Sequence, residues 1–238
     1  IAKDKLGNTS DATEAFEVDT TAPVVTIDPI DATNDTTPEV TGQVEPDSTV
    51  DVVVKDKDGN PVAQGPATVN PDGTWSFTPE TTLPEGEYSV EATATDPAGN
   101  ETDAAPEALV IDTTPPVVSI DPLDETNDTT PEIKGSTEPG ATVDVVVKDA
   151  AGNPVAQGPA TVNPDGTWSF TPTTALPEGE YTVEATATDP VGNEATVDAP
   201  VELIIDTTAP TNVTIDPIDL TNDSTPELTG TTEPGTEV

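Results

Sequence analysis

The sequence predicts an all-β protein built from small sandwiches in tandem, and three observations support this fold class. Proline and glycine interrupt the chain roughly every eight to twelve residues, and the segments between them are rich in Val, Thr and Ile. In several segments apolar and polar residues alternate, which is the period of a half-buried strand. The same pattern recurs along the chain, and no segment has the periodicity of a helix. We therefore expect one compact β domain in each copy.

The copies begin at an Asp-Thr-Thr motif that stands at Asp19, Asp112 and Asp206, with spacings of 93 and 94 residues. Residues 60–79 are identical to residues 153–172. A period of this length exceeds the roughly 20 to 50 residues of a solenoid unit and fits a small domain that folds alone. We expect a section of a longer array, with the end of a preceding repeat (1–18), two full repeats (19–111 and 112–205) and the start of a following repeat (206–238).

Seven strands are predicted in the first full repeat. The clearest covers residues 88–95, where Tyr88, Val90 and two alanines point to one face, and residues 181–188 are its counterpart. Trp75 and Phe77 share one face of another strand and should lie in the core. In chain order, the predicted strands are A (24–28), B (39–44), C (49–56), D (near 67–69), E (74–78), F (88–95) and G (108–111).

Seven strands in this order suit an immunoglobulin-like sandwich. The segment from Leu83 to Tyr88 has the spacing of a tyrosine corner, in which a Tyr at the start of strand F bonds back to the E–F turn, and residues 176–181 repeat it. Asn70-Pro71-Asp72-Gly73 is predicted to be a tight turn that leads into strand E. The predicted fold is therefore a series of seven-stranded immunoglobulin-like β-sandwiches joined end to end.

The composition excludes several classes of function. The chain has 47 Asp and Glu against 6 Lys and no Arg, for a net charge of −41, and it lacks His and Cys. Nucleic-acid binding needs a basic face, and anionic membranes are disfavoured for the same reason. Such a charge is also typical of disorder, but the apolar alternation keeps its register in both full repeats and favours folded units. No apolar run is long enough for a membrane span.

Catalysis is not expected, because a chain without His, Cys or Arg lacks most nucleophiles, general bases and oxyanion donors. Paired carboxylates can hydrolyse glycosides, but they need a substrate cleft that a small sandwich with few aromatic residues does not provide. We predict no enzymatic activity and no small-molecule substrate.

Carboxylates on loops are well suited to Ca²⁺, which takes six to eight oxygen ligands in irregular geometry. In an immunoglobulin topology, the start of A and the B–C and F–G loops share one end, and the A–B and E–F loops and the end of G share the other. The Asp-Thr-Thr linker lies where two such ends face each other. The candidate ligands are Asp19, Glu45, Asp96 and Asn100 in one set, Asp112, Glu138, Asp189 and Asn193 in the next, Asp206 in the third copy, and Asp31, Asp35, Glu85 and Glu87 from the A–B and E–F loops.

Each of these residues also has a structural interpretation. Asp-x-x-Gly-Asn, at 96–100 and 189–193, is a common turn former, and the acidic A–B loop with Asp31 and Asp35 could simply be solvated. Asp56-Lys57-Asp58-Gly59-Asn60 resembles the start of an EF-hand loop, but its Gly is misplaced and no Glu stands at the twelfth position. We predict a hairpin turn there.

Four motifs together carry a resemblance to a known family. They are Asp-Thr-Thr-Ala-Pro at the repeat boundary, Glu-Pro-Gly-Ala-Thr-Val at 138–143, Asp-Gly-Thr-Trp-Ser-Phe-Thr-Pro at 72–79, and Ala-Thr-Asp-Pro-Ala-Gly-Asn at 94–100. In combination they resemble the bacterial immunoglobulin-like repeats of giant type-I-secreted surface adhesins. The resemblance implies an extender region on the bacterial cell surface, with Ca²⁺ at domain junctions stiffening the stalk.

The leading hypothesis is a structural spacer: a monomeric stalk, rigidified by Ca²⁺ at the linkers, that projects a distal binding region for adhesion or biofilm formation. Its partners would be the neighbouring repeats of the same chain. The alternative is that the domains themselves bind a glycan or a protein, or each other. Binding surfaces usually use exposed aromatics or Arg, and the aromatics here look like core residues. A third interpretation, acidity as adaptation to salt, predicts no preference for Ca²⁺ over Mg²⁺.

Overall fold

A computed structural model describes residues 2–10 and 17–234. All regular elements in these ranges are β-strands, as the sequence predicts. In the described ranges of the chain, no helix is long and apolar enough to cross a membrane. The chain divides into two compact units, Ile1–Thr114 with Val191–Asn193 and Pro115–Pro190 with Glu194–Val238.

The first unit holds a short β-hairpin within residues 2–10 and the first full repeat. Its strands are β1 (Ala2–Lys3), β2 (Thr9–Ser10), β3 (Val25–Ile27), β4 (Val40–Val44), β5 (Thr49–Asp56), β6 (Pro61–Pro66), β7 (Thr68–Val69), β8 (Thr74–Phe77), β9 (Gly86–Thr95), β10 (Glu101–Asp103) and β11 (Glu107–Ile111). One sheet has the order β3-β4-β8-β7, and the other has the order β10-β9-β5-β6 with β11 also paired to β9. All pairings between these strands are antiparallel, and Thr33 and Ile111 form an isolated parallel bridge outside them.

The second unit repeats this architecture. Its strands are β12 (Val118–Ile120), β13 (Ile133–Thr137), β14 (Thr142–Asp149), β15 (Pro154–Pro159), β16 (Thr161–Val162), β17 (Thr167–Phe170), β18 (Gly179–Thr188), β19 (Glu194–Asp198), β20 (Leu203–Ile205), β21 (Thr214–Ile215) and β22 (Gly230–Thr231). The sheets have the orders β12-β13-β17-β16 and β15-β14-β18-β19, with β20 also paired to β18, and β21 pairs with β22.

The core lies between the two sheets of each repeat. Alternate residues of β5 are buried, and Trp75 and Leu83 are each only 1% exposed. Trp75 packs directly over Gly42, where an added Cβ would lie 2.0 Å from the carbonyl oxygen of Thr26 and 2.5 Å from the indole ring. The indole Nε1 donates a hydrogen bond to that same Thr26 carbonyl. Glycine is therefore required for the ring to fit against the sheet.

All seven predicted strands are present, and the structure adds details that the sequence did not indicate. The segment Pro61–Pro66 forms an additional strand, β6, at the edge of its sheet, and Pro154–Pro159 does the same in the second repeat. The sequence analysis assigns no strand there, and the prolines are tolerated because one side of an edge strand makes no ladder bonds. Predicted strand F corresponds to β9, which begins two residues earlier than predicted, at Gly86. Two strands then pair in turn with β9: β10 begins at Glu101, and β11 follows after a break around Ala104.

The predicted tyrosine corner is confirmed in both repeats. The hydroxyl of Tyr88 donates to the carbonyl of Pro84 at 2.6 Å, and that of Tyr181 donates to the carbonyl of Pro177 at 2.7 Å. Burial, followed by the negative charge of Asp56, raises the pKa of Tyr88, so the phenol keeps the proton that it donates. The E–F turn is thereby fixed against the start of β9.

Candidate functional site

The Asp-x-x-Gly-Asn segments form closed turns at the ends of hairpins. In the F–G loop, the backbone N–H and side-chain amide of Asn100 each donate to a different carboxylate oxygen of Asp96, both at 2.8 Å. Gly99 takes the left-handed conformation that the turn needs, with φ at 91°. Hydrogen bonds from the side chain and backbone of Asn100 lower the pKa of Asp96. Both oxygens of this candidate ligand therefore already serve the turn.

The EF-hand-like segment has the same geometry. Asp56 accepts hydrogen bonds from the backbone and side chain of Asn60, and the segment joins β5 to β6. The hairpin turn predicted from the sequence is confirmed.

The F–G loop also contacts the first residue of its own repeat. The side-chain amide of Asn193 donates to the carbonyl of Asp112 at 2.9 Å, and that of Asn100 donates to the carbonyl of Asp19 at 3.3 Å. Asp189 directly follows β18 and has interaction partners of its own. The structure thus brings Asn193 and Asp112 together, as the topology predicts, and it does so through an amide nitrogen and a backbone oxygen.

The two B–C loop glutamates differ in their contacts. A carboxylate oxygen of Glu138 accepts the backbone N–H of Val117 at 3.2 Å, which holds the entry to β12. Glu45 meets the corresponding segment through its own backbone N–H, which donates to the carbonyl of Val24 at 3.2 Å. In each case the loop lies beside the start of predicted strand A.

At the opposite end of the repeat, the chain that leaves β11 is paired with the A–B loop. The backbone N–H of Asp112 donates to the carbonyl of Thr33 at 2.9 Å, and the N–H of Thr33 donates to the carbonyl of Val110 at 3.0 Å. Asp206 and Thr126 form the equivalent contact in the second unit, also at 2.9 Å. The Asp-Thr-Thr motifs at Asp112 and Asp206 are therefore each held by the repeat that precedes them.

The E–F turn completes this contact with a carboxylate. We refer to Asp112-Thr113-Thr114 and Asp206-Thr207-Thr208 as the linker tripeptides. The hydroxyls of Thr113 and Thr114 donate to Glu85 at 3.2 and 2.5 Å, and those of Thr207 and Thr208 donate to Glu178. These hydrogen bonds, with that from Thr114 the strongest, lower the pKa of Glu85.

Sequence analysis missed some of this arrangement. Glu85 was expected as a metal ligand, whereas Glu178 was not singled out at all, and the threonines were given no role. The available signal was the strict recurrence of Asp-Thr-Thr at each boundary together with Pro-Glu-Gly in both E–F turns. The E–F turn and the segment after strand G lie at the same end of an immunoglobulin-like sandwich. Recurrence of both motifs therefore indicates a contact between them.

The remaining candidates lie on the loop and strand surfaces. Asp35 accepts the backbone N–H of Thr37 at 2.8 Å and so closes a local turn. Asp31 and Asp35 line a surface depression of about 300 Å³ together with Thr33 and Glu39. Glu87 is exposed on β9, where it pairs with Val110.

The donors around the linker have the chemistry that Ca²⁺ prefers, since carboxylate and carbonyl oxygens predominate. However, within residues 2–10 and 17–234, no three or more carboxylates come together in a way that could hold a metal ion. Asp112 and Asp206 each direct a carboxylate oxygen to the N–H of the threonine two residues later, at 3.1 and 2.8 Å. Calcium binding at these residues therefore stays a prediction.

A model of the bacterial Ig-like domain family matches residues 28–113 and 123–207. The chain belongs to the bacterial Ig-like domain family. This result confirms the family that the four sequence motifs indicated. The two matches fall almost entirely within the two full repeats, so both repeats are bacterial Ig-like domains.

Several solved structures are similar to this pair of bacterial Ig-like domains. A tetra-tandem repeat from the extending region of a large adhesion protein is 32% identical, with 83% of this chain and 53% of that chain covered and a TM-score of 0.37. The chain thus spans about half the length of that structure. A 1.5-MDa bacterial ice-binding adhesin is 18% identical, with 82% and 68% covered and a TM-score of 0.45. Fibronectin(III)-like modules of Clostridium thermocellum CbhA are 13% identical, with 76% and 94% covered and a TM-score of 0.39. Among curated proteins, none matches the sequence.

Proposed function

We propose that this chain belongs to the extender region of a bacterial surface adhesin, in which tandem bacterial Ig-like domains act as spacers. A distal region of the parent protein would carry the ligand-binding function for cell adhesion or biofilm formation, outside the cell. The observation that supports this role best is close repetition: two successive domains share one sheet order, and residues 60–79 are identical to residues 153–172. A spacer needs copies of one fold, whereas a row of binding domains usually varies its loops.

The surface offers few anchors for a ligand. Trp75, Trp168, Phe77 and Phe170 are all at most 8% exposed, and the chain has no Arg. Hot spots in protein interfaces are enriched in Trp, Tyr and Arg. Direct recognition of a glycan or protein by these domains is therefore the weaker candidate, and a glycan array probed with the chain should remain silent.

Calcium at the linkers is the second element of the proposal. The net charge of −41 means that neighbouring carboxylates repel, by about 1 kcal/mol for an exposed pair a few ångströms apart. A divalent cation converts that repulsion into attraction and would stiffen the stalk. Extracellular modules bind Ca²⁺ with dissociation constants of about 10⁻⁴ to 10⁻³ M, so such sites would fill outside a cell. The proposed ligands centre on Asp19, Asp112 and Asp206.

Calorimetric titration tests the metal. Ca²⁺ is titrated into the full chain and into an Asp112→Ala variant, and we expect the variant to lose about one site. Asp144→Ala is the matched control, because Asp144 is an exposed aspartate on β14. Equal stoichiometry in all three proteins would remove Asp112 from the proposed ligands.

Small-angle scattering tests the stiffening. We expect the scattering curve to change between EGTA and millimolar Ca²⁺, with a narrower range of molecular dimensions in Ca²⁺. Mg²⁺ at the same concentration controls for ionic strength. Identical curves in EGTA and Ca²⁺ would leave a spacer without calcium-dependent rigidity, and identical effects of both ions would favour general salt adaptation.

A further inference from the structure

We infer that the E–F end of each repeat is a binding surface for the linker tripeptide of the next repeat, and that Glu85 and Glu178 bind it without metal. This surface consists of the Thr33 carbonyl and the Glu85 carboxylate in the first unit, and of their counterparts at Thr126 and Glu178 in the second. The inference goes beyond the proposed function and holds whether or not the chain binds Ca²⁺.

Every residue of the linker tripeptide supplies a donor to this surface. Asp112 donates its backbone N–H to Thr33, and the hydroxyls of Thr113 and Thr114 donate to the same oxygen of Glu85. Hydroxyl groups that donate to an ionised carboxylate form stronger bonds than neutral pairs. Each residue of the Asp-Thr-Thr motif therefore donates one hydrogen bond to an acceptor on this surface.

A local turn within the tripeptide fixes its shape. The N–H of Thr114 donates to the carboxylate of Asp112 at 3.1 Å, and Thr208 and Asp206 make the same bond at 2.8 Å. Thr21 and Asp19 repeat it at 3.0 Å at the start of the first full repeat. A turn that recurs at all three boundaries reduces the conformational entropy lost when the tripeptide docks.

The glutamate is positioned by the tyrosine corner. Glu85 lies between Pro84, whose carbonyl accepts the Tyr88 hydroxyl, and Gly86, the first residue of β9. Glu178 has the same neighbours, Pro177 and Gly179, and Tyr181 closes its corner. The carboxylate is thus presented from a fixed turn in both repeats, which explains why the same contact forms twice.

Amide hydrogen exchange of the full chain in EGTA tests this inference. The amide of Asp112, which donates to the Thr33 carbonyl, and the amide of Thr114, which donates to the Asp112 carboxylate, should both be protected from exchange. Glu85→Ala removes the two hydroxyl bonds that hold the tripeptide on the surface, so the amides of Asp112 and Thr114 should exchange about fivefold faster for each bond lost. Glu80→Ala is the matched control, since Glu80 is an exposed glutamate in the same E–F loop.

A second pair of variants separates docking from general loss of structure. Thr114→Val removes a hydroxyl at nearly constant volume, and combined with Glu85→Ala it should add little further exchange, because both changes break the same bond. Residues of β5 should keep their protection throughout. Unchanged exchange in Glu85→Ala, or slow exchange of Asp112 and Thr114 that appears only when Ca²⁺ is added, would overturn the inference. Neither result depends on the stoichiometry that tests the proposed calcium sites.

Discussion

The hydroxyl of Tyr88 donates a 2.6 Å hydrogen bond to the carbonyl of Pro84, the residue directly before Glu85. Because the same bond joins Tyr181 to Pro177, each repeat fixes its E–F turn by one phenol. The position of the glutamate that binds the linker tripeptide thus depends on a side chain packed against the hydrophobic core.

Removal of the Tyr88 hydroxyl should lower the stability of the first full repeat and leave that of the second unchanged. We expect Tyr88→Phe to destabilise the first full repeat by about 1 kcal/mol, the typical net value of one hydrogen bond. Thermal unfolding followed by calorimetry should show one shifted transition. Tyr181→Phe should shift the other transition, and a variant with an unaltered thermogram would argue against a stabilising role for the corner.

Gly42 should be among the least replaceable residues of the first repeat. In Gly42→Ala, the new methyl group would overlap the Thr26 carbonyl and the Trp75 ring, so we expect a loss of about 1–3 kcal/mol or more. Gly65→Ala is the control, because its added Cβ would meet only Phe77 at 3.4 Å. Urea unfolding midpoints measure the difference, and equal midpoints would mean that the sheet can shift to accept the methyl group.

The turn at Asp96 should titrate below the ordinary carboxyl pKa of 3.8, because Asn100 donates to the ionised form. A pKa that is lower in the folded chain adds stability above about pH 4, and this stability is lost as the pH falls through the folded-state pKa. NMR titration of the carboxyl carbons should show the pKa of Asp96 rising in Asn100→Ala. Asn60→Ala should instead raise the pKa of Asp56, whose carboxylate it contacts, and leave Asp96 unaffected.

The cross-strand pair of Lys55 and Glu91 should contribute little and depend on salt. Nζ lies 2.6 Å from the carboxylate, but the two side chains are 31% and 40% exposed. Exposed pairs contribute about 0–1 kcal/mol and are screened by salt. We expect Lys55→Gln to lower the urea midpoint slightly at low ionic strength and to match the parent in about 1 M NaCl. Lys57→Gln, in the β5–β6 turn, controls for the change in net charge.

The fold could be predicted from the sequence because its signals are local. Alternation predicted β9 and β5, and the spacing from Leu83 to Tyr88 predicted the tyrosine corner. The strand β6 was missed for the same reason, since its two prolines are local signals of a loop. Only its place at the edge of the sheet, a tertiary property, makes those prolines acceptable.

The candidate site was harder to predict because the amino-acid composition does not indicate which group each carboxylate will contact. Asp96 has the type and position of a metal ligand, and each of its oxygens also accepts a hydrogen bond from Asn100 four residues later. Glu85 was chosen for its charge, whereas the structure pairs it with two hydroxyls that carry no charge signal. Predicting those contacts requires knowing which loops meet at each end of the sandwich.

The parallel bridge between Thr33 and Ile111 has a mechanical consequence. Tension that enters the repeat at Asp112 pulls the end of β11 along the A–B segment, so the hydrogen bonds on either side of the bridge are loaded together in shear. When two antiparallel strands are pulled apart from the same end, their hydrogen bonds can instead break one after another. A repeat pulled at its two ends would therefore resist extension first at these few backbone bonds, which the second repeat duplicates at Thr126 and Ile205.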